Sequence, residues 1–185
     1  MNKLGMNLQK FAGEVTGQID RKYMAHFLDS SFGDGKNPTW VRLGKDLEEY
    51  NVELNPDTES KKNILGTTTM KHNGYNPTSE ADPFYANVGD PLFEHLQEII
   101  DDLIKDDGCK TRALEVHMWD GDESAGYKAV MQECMVIPKS YGGDTSGYQI
   151  PFEVTYIGEK TKGTYAPKTK TFTPTTSEYL RLRRP

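Results

Sequence analysis

The stretch Tyr148-Gln149-Ile150-Pro151-Phe152-Glu153-Val154-Thr155-Tyr156-Ile157 alternates apolar and polar side chains along most of its length. Such alternation predicts a β-strand with one buried and one exposed face. Ile150, Phe152, Val154 and Tyr156 share the apolar face. Because a β-prone run at 127–137 and a glycine-rich segment at 140–147 precede this strand, the whole unit is predicted to be a β-hairpin.

Further strands are predicted on both sides of this hairpin. Leu114, Val116 and Met118 alternate against Glu115 and His117, which is typical of a half-buried strand. Shorter candidates lie at 23–28, 39–43, 47–54 and 168–173, where apolar and β-branched residues recur. The predicted fold is therefore mainly β, as a sandwich or barrel.

One α-helix is predicted over residues 90–107. Asp90 can cap it, and Pro91 suits the first helical position. Gly108 is expected to end it. Apolar residues recur at intervals of three and four, which predicts one buried stripe against the sheet. The stripe consists of Leu92, Phe93, Leu96, Ile99, Ile100, Leu103 and Ile104.

Residues 55–90 are predicted to form a long inter-strand loop, because breaker pairs such as Asn55-Pro56 and Asn73-Gly74 recur in them. Loops beyond about 12–15 residues are uncommon in compact domains and are usually functional or disordered. This one carries Tyr75, Phe84 and Tyr85, which disordered segments tend to lack. We therefore expect it to become ordered against another part of an assembly.

Length and composition limit the possible domain organisation and function of the chain. The chain has 185 residues, which predicts a single domain over 1–185, with a glycine-rich N-terminal arm at 1–38 and a basic C-terminal tail at 175–185. The net charge of −6 argues against tight nucleic-acid binding, which needs clustered cations. Hydrophobic residues are 35% of the chain, a low share that suggests exposed loops or burial against neighbouring subunits.

Motifs that would carry chemistry are weak. The four histidines are scattered, and the sequence has neither an HExxH pair nor a GxSxG elbow. The acidic turn at 120–124 does not have the glycine and glutamate spacing of an EF-hand. His117 and Cys134 could meet across strands, but two ligands are too few for zinc. We therefore expect no catalytic residues, no metal and no cofactor, and predict that the chain is not an enzyme.

In their order and spacing, several segments resemble the major tail tube proteins of long-tailed bacteriophages and phage-tail-like particles. The resemblance runs from about Thr39 to Thr164. It rests on 39–49, Asn55-Pro56, 63–66, 75–77, the helix start at Asp90-Pro91-Leu92-Phe93, the loop at 142–147, Gly158 and Gly163-Thr164.

The resemblance implies a β-sandwich or barrel with a flanking helix, assembled as stacked rings, commonly of six subunits, into a hollow tube. It implies a place in the virion tail after synthesis in the host cytoplasm. The implied partners are other copies of the chain, the tape measure protein, the tail terminator and tail-tip or baseplate proteins, and a sheath protein in contractile tails. DNA would be present only in transit.

Two hypotheses follow for particular residues. An acidic tube lining would repel DNA, and Glu133, Gln149, Glu153 and Thr155 are the candidates to face the lumen. Tyr75, Phe84 and Tyr85 are the candidates for contacts between subunits. The alternative is a neck or baseplate adaptor, or another binding module that forms no tube.

Overall fold

The computed structural model describes residues 17–33, 37–45, 47 and 49–175. Most of the expected N-terminal arm before β1, and all but the first residue of the basic tail, lie outside these residues. Twelve strands and one α-helix form within them. The bounds are β1 Met24–Asp29, β2 Trp40–Arg42, β3 Val52–Glu53, β4 Pro56–Lys62, β5 Thr68–Tyr75, β6 Thr78–Ala81, α1 Pro91–Asp102, β7 Lys110–Asp122, β8 Gly126–Pro138, β9 Gly142–Asp144, β10 Gly147–Gln149, β11 Phe152–Ala166 and β12 Thr171–Pro174. Two 3-10 turns span Arg21–Tyr23 and Asp106–Cys109.

Eight strands form one antiparallel sheet in the order β2-β1-β7-β8-β11-β6-β3, with β12 also paired to β11. The prediction of a mainly β fold with one helix is confirmed. Of the two predicted forms, sandwich or barrel, the barrel is wrong, because this sheet is open. Its order ends at β2 and β3, which have three and two residues and do not pair with each other.

The helix covers one face of this sheet, which we call the helix face. Phe152 and Val154 of β11 are fully buried there and pack in one cluster with Leu92, Leu96 and Ile99 of α1. Strand neighbours complete the cluster, because each presents every second side chain to the same face. They include Leu28, Ala113, Cys134 and Val136.

The helix begins as predicted and ends earlier than predicted. Asp90 is the N-cap, and its carboxylate accepts from the Leu92 backbone N–H at 2.9 Å. The helix ends at Asp102, because Leu103 adopts a left-handed conformation with φ of 48°. Leu103, which was predicted to lie in the buried stripe, is therefore 74% exposed. Phe93, Ile100 and Ile104 are partly buried against the core.

The other face of the sheet, which we call the opposite face, carries a second apolar cluster at the far ends of the strands. It contains Ala25, Trp40, Leu114, Val116, Tyr127, Ala129 and Tyr165. The rings of Phe27 in β1 and Tyr165 in β11 lie 5.2 Å apart, although β7 and β8 separate their strands. Three strand spacings amount to about 14 Å in a flat sheet, so the sheet curls around this cluster.

Residues 55–90 are not one long loop. Strands β4 and β5 pair with each other as a separate two-stranded hairpin, and β6 joins the main sheet between β11 and β3. The breaker pairs wrongly indicated a loop. Asn55-Pro56 lies at the base of this hairpin, and Asn73-Gly74 lies at its bulge. Gly74, with φ of 147°, lies opposite the register shift between Asp57 and Thr58.

His26 of β1 is buried, and its ring lies 4.9 Å from that of Tyr50. Burial lowers the pKa of His26 to about 4, since it disfavours the imidazolium. Glu115 opposes the shift by raising the pKa of His26, while Arg21 and His117 add to it. The folded state therefore holds a neutral imidazole.

This burial predicts an acid-sensitive fold. Between about pH 6.5 and 4 the unfolded chain binds a proton at His26 that the folded chain does not, so stability falls as the pH is lowered through this range. The loss attributable to His26 reaches about 3 kcal/mol. Urea unfolding across this range should show a shallower pH dependence in His26→Gln than in the wild type. His72→Gln, on the exposed hairpin, is the control, and an unchanged slope in His26→Gln would contradict the prediction.

Candidate subunit interface

The β4–β5 hairpin projects from the sheet, and nearly every residue in its two strands is exposed. Its tip is nevertheless well ordered by hydrogen bonds. The Asn63 side-chain oxygen accepts from the backbone N–H groups of Leu65 at 3.0 Å and Thr67 at 2.9 Å. Gly66, with φ of 80°, donates to the Asn63 carbonyl and closes the turn. The tip therefore presents its side chains in a defined geometry.

Aliphatic side chains occupy this ordered tip. Ile64 is 103% exposed, Leu65 is 84% exposed, and Met70 of β5 is 78% exposed. Single exposed apolar residues are common on protein surfaces, whereas a group of them marks a contact site. Here three lie within eight residues of one another along the chain. The grouping makes the hairpin tip the leading candidate for a protein interface.

Three lysines surround these apolar residues. Lys61 and Lys62 lie on β4 and Lys71 on β5, all exposed. Glu59 pairs with Lys61 at 3.0 Å and lies opposite Lys71 in the ladder. The distal half of the hairpin therefore carries three lysines and one carboxylate, and it is cationic in a chain whose net charge is −6.

The base of the hairpin is fixed to the main sheet. Asn55 adopts a positive φ of 43°, and its side-chain amide donates to the Asn76 carbonyl at 3.2 Å and to the Thr78 hydroxyl at 2.9 Å. The Asn76 N–H returns a hydrogen bond to the Leu54 carbonyl. Since Thr78 begins β6, these bonds set the direction in which the hairpin leaves the sheet.

The three aromatic residues proposed for subunit contacts lie in different environments. Tyr75, at the end of β5, is 57% exposed, and its ring meets that of His72 edge-on at 4.5 Å. Phe84 is buried in the core, 5.3 Å from the Phe152 ring, so its side chain is not available at the surface. Tyr85 is partly buried and bridges to Gln149 through the backbone. Of the three, Tyr75 belongs to the projecting hairpin.

The lumen candidates also separate into two groups. Glu133, Glu153 and Thr155 lie on the opposite face of the main sheet, because Thr155 pairs with Met135 and Glu153 with Ile137, two and four residues along β8 from Glu133. Gln149 belongs to the small β9–β10 hairpin and not to this face. The main sheet therefore brings three of the four lumen candidates onto one face.

An acidic groove of about 360 Å³ lies at the β3–β6 edge of the main sheet. Five acidic residues line it: Glu49, Glu53, Glu80, Asp82 and Glu153. Lys139 donates to Glu80 at 2.9 Å and lies 3.8 Å from Glu153. The hydrogen bond with Glu80 raises the pKa of Lys139, as do the charges of Glu80, Glu153 and Asp82. This groove was not predicted from the sequence, because β3, β6 and β11 are far apart in the chain.

His117 and Cys134, considered above as zinc ligands that could meet across strands, lie far apart. Cys134 lies opposite Thr111 in the ladder and His117 opposite Lys128, six residues further along, which separates them by about 20 Å. Burial raises the pKa of Cys134 to about 12, so its thiol stays protonated at neutral pH. His117 contacts Glu115 at 2.8 Å. The residues that the structure describes contain no cluster of three metal-ligating side chains.

Over 17–33, 37–45, 47 and 49–175, the structure contains no helix with the length and apolar character needed to cross a bilayer.

Comparison with known proteins gives similarities in fold only. No protein-family model matches the sequence, and no curated protein matches it. One similar solved chain comes from the sheath/tube terminator of an extracellular contractile injection system, PVC, in the extended state, with 9% identity and a TM-score of 0.46 over 80% of this chain and 98% of that chain. Another comes from the anti-feeding prophage tube-terminating cap, with 12% identity and a TM-score of 0.46 over 86% of this chain and 99% of that chain. A third, from the PVC sheath-tube complex in the extended state, has 9% identity and a TM-score of 0.44 over 82% of this chain and 95% of that chain.

Proposed function

We propose that this chain is a structural subunit of a phage-tail-like particle, and that its copies assemble into stacked rings that form a hollow tube. The observation that carries the proposal is the β4–β5 hairpin, an ordered arm that exposes Ile64 and Leu65 to solvent. An ordered apolar arm that the described residues leave uncovered is what an assembling subunit needs. The order of sequence segments that resembles tail tube proteins supports the same assignment.

We assign the contact between subunits to this hairpin, with Tyr75 at its base. Burying the Ile64 and Leu65 side chains against a neighbour would contribute about 1.5–3 kcal/mol each, since both are almost completely hydrated in the single chain. Phe84 is left out of the contact, because it already packs against Phe152. Tyr85 would take part only through its exposed edge.

The opposite face of the sheet is our candidate for the tube lining, through Glu133, Glu153 and Thr155. Arg112 lies opposite Glu133 in the ladder, but Asp29 binds its guanidinium at 3.0 Å, and Lys139 is bound by Glu80. These two cations therefore already have acidic partners. A lining with this balance would repel DNA phosphates and let DNA and a tape measure protein pass.

The proposal gives the chain a structural role without catalysis or cofactor. Its partners would be further copies of the chain, a tape measure protein, a terminator, tail-tip or baseplate proteins and, in a contractile particle, a sheath protein. Its place would be the tail of the particle.

A neck or baseplate adaptor is the second candidate function, and one observation favours it. The outer strands of the main sheet are very short, with three residues in β2 and two in β3. Short edges limit strand pairing between copies, which would weaken a continuous barrel through a ring. An adaptor would keep the hairpin contact but bind a different protein through it.

Size-exclusion chromatography with light scattering, over a wide concentration series of the purified chain, tests the proposal. A tube subunit is expected to show a mass that rises with concentration, with discrete rings or longer assemblies. An adaptor is expected to stay monomeric or form one small oligomer at every concentration, and that result would overturn the tube assignment.

A further inference from the structure

The tip and the base of the β4–β5 hairpin have opposite charge. The tip presents Lys61, Lys62 and Lys71 around its aliphatic residues, while the groove at the base presents Glu53, Glu80 and Asp82. The groove is concave and the hairpin is a convex arm. Shape and charge are therefore complementary between two surfaces of the same chain.

The two surfaces cannot meet within one molecule. Strand β4 has seven residues, which places the tip about 20 Å from the base at the usual rise of about 3.3 Å per residue. The ladder between β4 and β5 and the Asn55 hydrogen bonds at the base hold the arm extended. Reaching its own groove would require the hairpin to fold back and break these bonds.

We propose that the hairpin tip of one copy docks in the acidic groove at the β3–β6 edge of a second copy. This inference rests on the proposed self-assembly and names the acceptor for the arm. Ile64 and Leu65 would be covered by the second copy, while Lys61 and Lys62 would approach Glu53 and Glu80. Glu80 would then have two cationic partners, because Lys139 already binds it.

A contact of this kind is heterologous, because it joins two different patches of the chain. An open row of copies then has a free tip at one end and a free groove at the other. Heterologous contacts form a ring when the rotation between copies closes, and a helical filament when it does not. The same contact would therefore account for repeated assembly without strand pairing at the short edges β2 and β3.

Charge reversal tests the contact directly. The tip variant is Lys61→Glu with Lys62→Glu, and the groove variant is Glu53→Lys with Glu80→Lys. Each variant places like charges at the contact, and we expect its self-association to weaken at least about tenfold. Reversing all four positions in one chain, or mixing the two variants, restores opposite charges and should recover most of the association.

The control is Lys162→Glu with Lys168→Glu, which changes the net charge as the tip variant does but at exposed positions on β11 and the turn after it. Light scattering of the control should match that of the wild type. If the wild type assembles and the tip and groove variants assemble equally well, the docking is wrong although self-assembly stands. If the wild type does not assemble at any concentration, the proposed function fails and the docking fails with it.

Discussion

Replacing Ile64 and Leu65 by aspartate is expected to abolish assembly while leaving the folded subunit intact. Both side chains are almost fully exposed in the single chain, so the substitution removes no packing within the subunit. In the assembly it removes two buried aliphatic groups and introduces two charges that must lose water. The loss of about 3–6 kcal/mol per contact weakens association by about a hundredfold or more.

Light scattering measures assembly and urea unfolding measures the stability of the subunit, so the two measurements on one preparation separate a loss of assembly from a loss of folding. The unfolding midpoint of the double variant should match that of the wild type. Val88→Asp is the matched control, because Val88 is equally exposed at 102% but is not part of the hairpin, and it should leave assembly unchanged. If the double variant assembled as the wild type does, the hairpin would not be the interface.

The largest effect on stability is expected at the ion pair between Asp29 and Arg112. Asp29 is 1% exposed. One carboxylate oxygen binds the Arg112 guanidinium, and the other accepts from the backbone N–H groups of Ser31 at 3.0 Å and Thr39 at 2.8 Å. The pair thus joins β1 and β7 and holds the connection that leads to β2.

Arg112→Ala is expected to destabilise the subunit by about 3–5 kcal/mol, because it leaves the Asp29 carboxylate buried without its counter-ion. For a chain of this size that corresponds to a fall in Tm of roughly 6–20 °C. Calorimetry or thermal circular dichroism measures it. Lys110→Ala, which breaks the exposed pair with Asp107, is the control and should leave the Tm unchanged. An Arg112→Ala variant as stable as that control would show that the buried pair is not needed.

The elements that could be predicted from the sequence are those with one buried face. The alternation at 148–157 placed Phe152 and Val154 on the buried side, and Asp90-Pro91 marked the start of α1 correctly. The end of α1 could not be predicted, because it depends on Leu103 adopting a left-handed conformation that leucine rarely takes. The Leu103 N–H then donates to the Ile100 carbonyl and closes the last turn.

The hairpin could not be predicted, because neither of its faces is buried by the residues that the structure describes and its strands show no alternation. Residues 56–62 read as polar throughout. A weak signal did exist in Thr67-Thr68-Thr69, three β-branched residues that follow a turn sequence at Asn63 to Gly66. The breaker pairs around it outweighed that signal and led to the prediction of a loop.

The curl of the main sheet could not be predicted from the sequence either. Ala113 and Leu114 are adjacent in β7 and both buried, on opposite faces of the sheet and in different clusters. Alternation within a single strand identifies one buried face, whereas long strands such as β7 and β8 bury one face at one end and the other face at the other. That change of face depends on which neighbouring elements cover each end of the strand. Pairing between segments that are distant in the chain decides which elements these are.

Negative-stain electron microscopy of the purified chain at high concentration is the measurement that tests the central claim most directly. Our account predicts hollow tubes, or stacked rings of uniform width, for the wild type and none for the Ile64→Asp/Leu65→Asp variant. Wild-type fields that contain only monomeric particles at every concentration would contradict it.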